Sequence, residues 1–235
     1  MKKISVVVSA YNEEKNLPNC LTALTNQTFP LKDYEIVVVD NNSTDKTVEI
    51  AKSFGARVVT EKRQGNTFAV ATGYKAADGE IIASTDSDTV VNKDWLEVIY
   101  RTFQDKNIVG AAGPIIVDSK HKILKSFAQK SYALFLRANF AIGKPHFSGF
   151  NFAVRKSTFD EIGGIDETFI MSPDVDLGLR MAKKGKVVYV KDMIVNNSIR
   201  RWEETPLDAA WTYLKGYVYS VWLRKPPPVK QKVIR

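Results

Sequence analysis

The sequence predicts an α/β fold with a mostly parallel central sheet flanked by helices. Three observations predict it. Short apolar runs recur at Ile4–Ala10, Glu35–Asp40, Ala56–Glu61 and Glu80–Thr85. Each is followed by apolar residues at helical spacing. Polar and acidic residues gather where the runs end. Strands alternating with helices imply right-handed crossovers and parallel pairing, and such sheets bind ligands beyond the carboxyl ends of their strands.

The elements follow in order. ISVVVSA, from Ile4, is a nearly continuous apolar strand of the kind buried on both faces. Asn12 is placed to cap a helix with Glu13 and Glu14 in its first turn and Leu17, Leu21 and Leu24 on one face. EIVVVD, Glu35 to Asp40, is the second strand. Asn42 or Ser43 then caps a helix through Val48, Ala51 and Phe54 that stops at Gly55. ARVVTE is the third strand, and a turn at Gly65 leads into a helix through Ala69, Ala76 and Ala77. EIIAST is the fourth strand. Val91 to Phe103 is expected to be helical with Asn92 as its cap. After Gly113-Pro114 the pattern changes. Lys120 to Ile142 is basic and aromatic, Ser148 to Val154 reads as a strand, and a helix from Ser157 ends at Gly163-Gly164. Asp174 to Lys184 is helical, KVVYV is a last strand, and Thr205-Pro206 starts a final helix.

Composition narrows the function classes. The chain has 235 residues and a net charge of +8, which suits nucleic acid, anionic lipid or phosphorylated substrates. No zinc spacing and no nucleic-acid-binding signature is present. A single cysteine, Cys20, excludes an internal disulfide framework and suits a reducing, cytoplasmic compartment. The apolar run behind Met1-Lys2-Lys3 is too short for a signal peptide. No window of eighteen apolar residues is present, so no membrane span is expected.

The fourth strand ends in Thr85-Asp86-Ser87-Asp88. In an extended chain, residues i and i+2 point the same way, which puts these carboxylates roughly 6–7 Å apart. At an effective dielectric near 20 their repulsion is about 2.5 kcal/mol. A divalent cation such as Mg²⁺ or Mn²⁺ between them would offset that cost. A solvated turn is the plainer alternative.

VVVSAYNEEKNL, EIVVVDNNSTDKT, RQGNTFAVATGYKAADGEIIASTDSDT, SGFNFAVRKSTFDEIGGIDE and DVDLGLRMAKKGKVVYV, in that order over roughly residues 3 to 202, resemble family 2 of the GT-A glycosyltransferases. The resemblance implies a GT-A domain over 1–202, with a nucleotide-sugar-binding half at 1–113 and an acceptor half at 114–202. Residues 203–235 would form a C-terminal amphipathic helix and a basic, proline-containing tail. It also implies a UDP- or GDP-sugar donor, Mn²⁺ or Mg²⁺, a glycan or lipid-linked acceptor, no nucleic acid, and inverting transfer. By position, Ala10, Tyr11, Asn12 and Glu13 would line the nucleobase pocket, and Asp40 would bind the base. Lys62 or Arg63 would lie near the nucleotide, Asp86 toward the ribose, and Asp88 on the metal. Asp174 matches the general base, although Pro173 stands where the family usually has Glu; the alternative is that Asp174 complements the helix dipole. Asp176 and the run Arg200-Arg201-Trp202 match positions near acceptor or phosphate, an exposed basic loop being the alternative for the latter. His146 stands alone and reads as a hydrogen-bonded loop histidine rather than a metal ligand, and Asp166 reads as a turn residue. A sugar nucleotidyltransferase would want a glycine-rich phosphate loop, which SAYNEE lacks. A degenerate, non-catalytic sugar-nucleotide binder would explain Pro173.

In the final helix, Leu207, Ala210, Trp211, Leu214, Val218, Val221 and Trp222 share one face that can pack on the core. Tyr213, Tyr217, Tyr219 and Leu223 spread apolar surface beyond it, beside Lys215, Arg224, Lys225, Lys230 and Lys232. That mixture suits peripheral contact with the cytoplasmic face of an anionic membrane, a core helix or dimer contact being the alternative.

Overall fold

A computed structural model describes residues 2–118, 122–198 and 206–228 of the chain. The strands are β1 (Ile4–Ala10), β2 (Tyr34–Asp40), β3 (Arg57–Thr60), β4 (Ile81–Asp86), β5 (Thr89–Val91), β6 (Ile108–Ala112), β7 (Ile115–Asp118), β8 (Phe152–Arg155), β9 (Lys186–Tyr189) and β10 (Val195–Ser198). The helices are α1 (Leu17–Thr25), α2 (Thr47–Ser53), α3 (Asn66–Ala76), α4 (Trp95–Thr102), α5 (Lys122–Ala141), α6 (Lys156–Glu161), α7 (Pro173–Met181) and α8 (Pro206–Tyr217). The last continues as π-helix through Val218–Leu223.

The main sheet has the order β3-β2-β1-β4-β8-β6-β9. β3, β2, β1 and β4 are parallel neighbours, and β8 is antiparallel to both β4 and β6. The apolar runs are explained by burial on two faces. Val6 and Val8 face a core with Leu17, Leu21 and Leu24 of α1 and with Trp95 and Ile99 of α4. Val7, between them, faces Ala69, Val70 and Tyr74 of α3 on the other side, as the period of two requires. A second, three-stranded sheet has the order β5-β10-β7.

Register builds the rim. Ala10 pairs with Asp40, and Ser9 pairs with Asp86, so Asp40 and Asp86 flank the end of β1, about 10 Å apart across two strand spacings. β8 runs the other way and opens beside Ser84, which brings the loop before it, 148–151, to the same rim.

Several local expectations are corrected. Asn12 caps no helix: it takes φ 54° in the loop, and α1 starts at Leu17. Asn42 has φ 67°, and Ser43 accepts a bond from across the loop, while Asp45 Oδ1 accepts the Thr47 amide at the head of α2. Val91 is in a strand, pairing with Val195, and α4 starts at Trp95. The expected strand at Ser148 begins at Phe152. β6, β7 and β10 were not expected. The Thr205 cap lies outside the described residues. Among the described residues, no helix is long and apolar enough to cross a membrane.

Candidate active site

Three loops meet at the ends of β1, β2 and β3, and side chains lace them together. The amides of Asn12, Glu13 and Glu14 donate to Ser43 Oγ (3.0 Å), Thr47 Oγ1 (2.8 Å) and Asp45 Oδ2 (3.1 Å). Asn12 Oδ1 accepts the Thr44 amide at 2.8 Å. Asp40 is buried and its Oδ1 accepts the Ser43 amide at 3.0 Å. Buried Asn41 donates to the carbonyls of Glu61 and Arg63, each at 2.8 Å, and accepts the Gly65 amide at 2.8 Å. A continuous wall therefore carries Ala10, Tyr11, Asn12, Glu13 and Asp40. Lys62 and Arg63 stand on its far edge. Lys62 is exposed. Arg63 is committed to Glu61 (2.9 Å) and Glu167 (2.6 Å) and stacks on Phe68.

Asp86 closes β4 and Asp88 lies in the turn to β5; both are partly exposed. Beneath them the Cys20 thiol donates to the Asp86 carbonyl at 3.4 Å. Burial, and then the nearby acids, push that thiol far above its ordinary range, so Cys20 supports the turn and is not a nucleophile. Among the described residues no three His, Cys, Asp or Glu side chains converge on a metal position. Asp86 and Asp88 are two oxygen donors at the rim, which suits Mg²⁺ or Mn²⁺ taken up on one or two carboxylates with substrate phosphate and water. His146 is no third ligand: it packs edge-on to Phe135 at 5.1 Å, and burial lowers it to about 4. Its Nδ1 has no partner among the described residues, so the expected hydrogen-bonded loop histidine is half right.

Asp174 sits in the first turn of α7. Pro173 occupies the opening position, and Ser172 before it is held left-handed at φ 60°, a conformation disfavoured ahead of proline. Burial raises Asp174 from 3.8 to about 6, outweighing the amides of Val175, of Asp174 itself and of Gly149 that favour its charged form. A Cβ on Gly149 would lie 3.8 Å from Asp174 Oδ2 and 3.9 Å from Asp86 Oδ1. The two carboxylates thus line one small gap, kept open by a residue without a side chain. A relay sets that glycine: Tyr74 Oη donates to Ser84 Oγ, which donates to the Gly149 carbonyl, both at 2.7 Å. Asn151 fixes the rest of the loop by donating to the Pro114 and Met193 carbonyls and accepting from Trp95 Nε1. Asp176, two residues on in the same helix, is buried and paired with Arg180 at 2.6 Å. Asp166 accepts from Thr168, as a turn residue does. Arg200, Arg201 and Trp202 lie outside the described residues.

The rim thus joins Asp40, Asp86, Asp88 and Asp174 from three chain segments. Sequence reasoning missed Asn41, Tyr74, Ser84, Gly149 and Asn151; SGFN was the visible trace of the last loop.

The chain is similar to known proteins in sequence and in fold. Over 219 residues the chain is 25% identical to a dolichyl N-acetyl-alpha-D-glucosaminyl phosphate 3-beta-D-2,3-diacetamido-2,3-dideoxy-beta-D-glucuronosyltransferase of Methanococcus voltae, covering 86% of this chain and 68% of that one. Over 100 residues it is 39% identical to glycosyltransferase AglE of Haloferax volcanii, covering 40% of this chain and 33% of that one. The match to AglE thus spans only about a third of that protein's length. In fold it resembles mannosyltransferase PcManGT of Pyrobaculum calidifontis, solved in complex with GDP-Man and Mn²⁺, with a TM-score of 0.76, 22% identity, and coverage of 96% and 66% of the two chains. The family model "Glycosyl transferase family 2" matches residues 5–163, a span that holds Asp40, Asp86 and Asp88 and stops short of Asp174. On that match the chain belongs to glycosyl transferase family 2.

Proposed function

We propose that the chain transfers a sugar, with inversion, from a UDP- or GDP-sugar to a hydroxyl of a glycan or lipid-linked acceptor. The observation that carries this is Asp174: a carboxylate made basic by burial, facing Asp86 across Gly149 at the carboxyl rim of the sheet. The loop Ala10–Glu13 and Asp40 bind the base, and Asp86 holds the ribose side. With Arg63 engaged by two carboxylates, Lys62 is the better placed of the pair to reach phosphate. Asp88, with Asp86 beside it, would hold Mn²⁺ or Mg²⁺, which when bound neutralises charge on the departing diphosphate. Asp174 takes the acceptor proton as the hydroxyl oxygen bonds to the anomeric carbon. The bond from that carbon to the diphosphate oxygen breaks, and the nucleoside diphosphate leaves. One base suffices because the leaving group is already an anion and needs no acid. The reduced, buried Cys20 suits work in the cytoplasm.

The test is a thermal-shift panel of UDP- and GDP-sugars with and without Mn²⁺, followed by an assay of nucleoside diphosphate release. A cognate donor at a hundred times its Kd adds about 2.7 kcal/mol, or roughly 5–10 °C for a chain of this size. Release should accompany the shift. A shift without release, even with acceptor extracts, would mark a degenerate binder; no shift with any donor would remove the transferase reading.

A further inference from the structure

The final helix turns its large apolar residues away from the protein. Trp211, Leu214, Val218 and Trp222 recur at helical spacing, and Trp211, Leu214 and Trp222 are 57%, 54% and 58% exposed. The face that packs inward carries Gly216, Tyr217 and Val221. Gly216 meets Met171 and Ser172, and Val221 meets Val175 and Leu179. The face expected from the sequence to pack on the core is therefore mostly the outward one. The side chains of Leu207, Ala210 and Tyr213 lie outside the described residues.

Cations surround this stripe. Lys215 Nζ lies 4.7 Å over the ring of Trp211, and Lys144 Nζ lies 3.0 Å over that of Trp222. Beside Trp222 is a hollow of about 240 Å³, floored by Leu179 and Val221 and rimmed by Lys144, Lys183 and Arg224. None of its lining residues is acidic. The sequence carries no Asp or Glu after Asp208, while Lys215, Arg224, Lys225, Lys230, Lys232 and Arg235 follow.

We propose that this face docks on an anionic bilayer, with Trp211 and Trp222 entering the interface and the hollow at Lys144, Lys183 and Arg224 receiving a lipid phosphate. Tryptophans with lysines over their rings suit the boundary between headgroups and acyl chains. Charge chooses among the occupants. A second copy placed symmetrically on the stripe would bring a second set of Lys215, Arg224 and Lys225 into the same interface and double its positive charge. An anionic surface is complementary to all of them. The docking deepens the lipid-linked acceptor reading, but its test needs neither donor nor acceptor, so the two can fail separately.

The test is flotation of the full chain with vesicles of phosphatidylcholine, alone or mixed with phosphatidylglycerol, at low and high salt. Binding should require phosphatidylglycerol, fade with salt, and shift tryptophan emission to the blue. K144E/R224E and W211A/W222A should each weaken partition by about tenfold or more, while both remain folded by circular dichroism. Flotation with neither vesicle overturns the proposal. So does a dimer in the ultracentrifuge that W222A dissociates, which assigns the stripe to a second copy. Glycerol phosphate binding to the hollow without any vesicle binding or emission shift overturns it too, leaving a site for free phosphate.

Discussion

Asp174→Asn separates a tuned base from a helix-dipole partner, because the two roles predict stability changes of opposite sign. Asn keeps the shape and one acceptor oxygen for the Gly149 and Val175 amides. It removes the charge. In the parent, burial raises Asp174 to about 6 against an ordinary 3.8. Between those values the native state holds a proton that the unfolded chain has lost. Native stability therefore falls as pH rises through that window. Above about 6 the folded protein bears the full cost of an ionised, buried carboxylate, and below about 4 it bears none. The interval corresponds to about 3 kcal/mol. Losing a negative charge from the first turn of α7 offsets about 0.3–1 kcal/mol of that. The Asn variant should thus be more stable than the parent by about 2 kcal/mol near neutral pH, a Tm gain of roughly 4–8 °C for a domain of this size. At pH 4 the gain should vanish.

The assay is thermal denaturation of both proteins, without ligand, at several pH values from 4 to 8. Transfer should fall by about 10²–10⁴-fold in the variant while donor affinity stays at the parental value. A variant less stable than the parent at neutral pH would show that the carboxylate serves the helix and not the reaction. Parental transfer by the variant would move the base elsewhere. Asp176, the nearest other carboxylate on α7, is a poor successor, since Arg180 already neutralises it at 2.6 Å.

Asp88→Asn should weaken nucleoside diphosphate binding in Mn²⁺ and matter little in EDTA; calorimetry giving equal affinities in Mn²⁺ would remove the metal role. The parent's transfer rate should drop tenfold per pH unit below about 6 and level off above it, following the proton on Asp174; a flat profile down to pH 5 would contradict this. Asn41→Ala strips partners from the Glu61 and Arg63 carbonyls and the Gly65 amide, so urea unfolding should show a loss of about 2–4 kcal/mol together with weaker donor binding. Gly216→Ala puts a Cβ 2.5 Å from Met171 Cε and 3.1 Å from Ser172 Oγ; transfer should fall with donor affinity unchanged, and adding Met171→Ala should restore most of it.

The parallel half of the sheet was legible because its signal is local and doubled. β1 reads ISVVVSA with Val7 serving one core and Val6 and Val8 the other, so no polar residue interrupts Val6 to Val8. The acids were legible because a charged residue straight after such a run has few structural excuses. Helix starts were misplaced for a definite reason. Asn12, Ser43 and Asp45 are cap-type residues, but their bonds run between loops; only Asp45 also serves its own helix. A local rule cannot see a partner thirty residues away. β10 was missed because VNNS has no apolar pattern; it is a strand because β5 and β7 pair with it on either side. Gly149, Tyr74 and Ser84 were missed for the same reason as the loops, since their meaning lies in a contact across the sheet.

The final helix shows where periodicity misleads in principle. A hydrophobic stripe tells which residues are alike and not which way they point. Here the direction is decided by distance. The side chains of Met171 and Ser172 lie against the helix at Gly216, where a Cβ would come 2.5 Å from Met171 Cε and 3.1 Å from Ser172 Oγ. That contact turns Trp211, Leu214, Val218 and Trp222 outward. On the inward side Tyr217 donates to Asn139 at 2.7 Å and stacks edge-on with Phe135, which ties the helix to α5. The same helix therefore has the strained turn before Asp174 on one side and an apolar, cation-rimmed surface on the other. The proposed docking face and the proposed base thus lie on opposite sides of one contact, Gly216 against Met171 and Ser172.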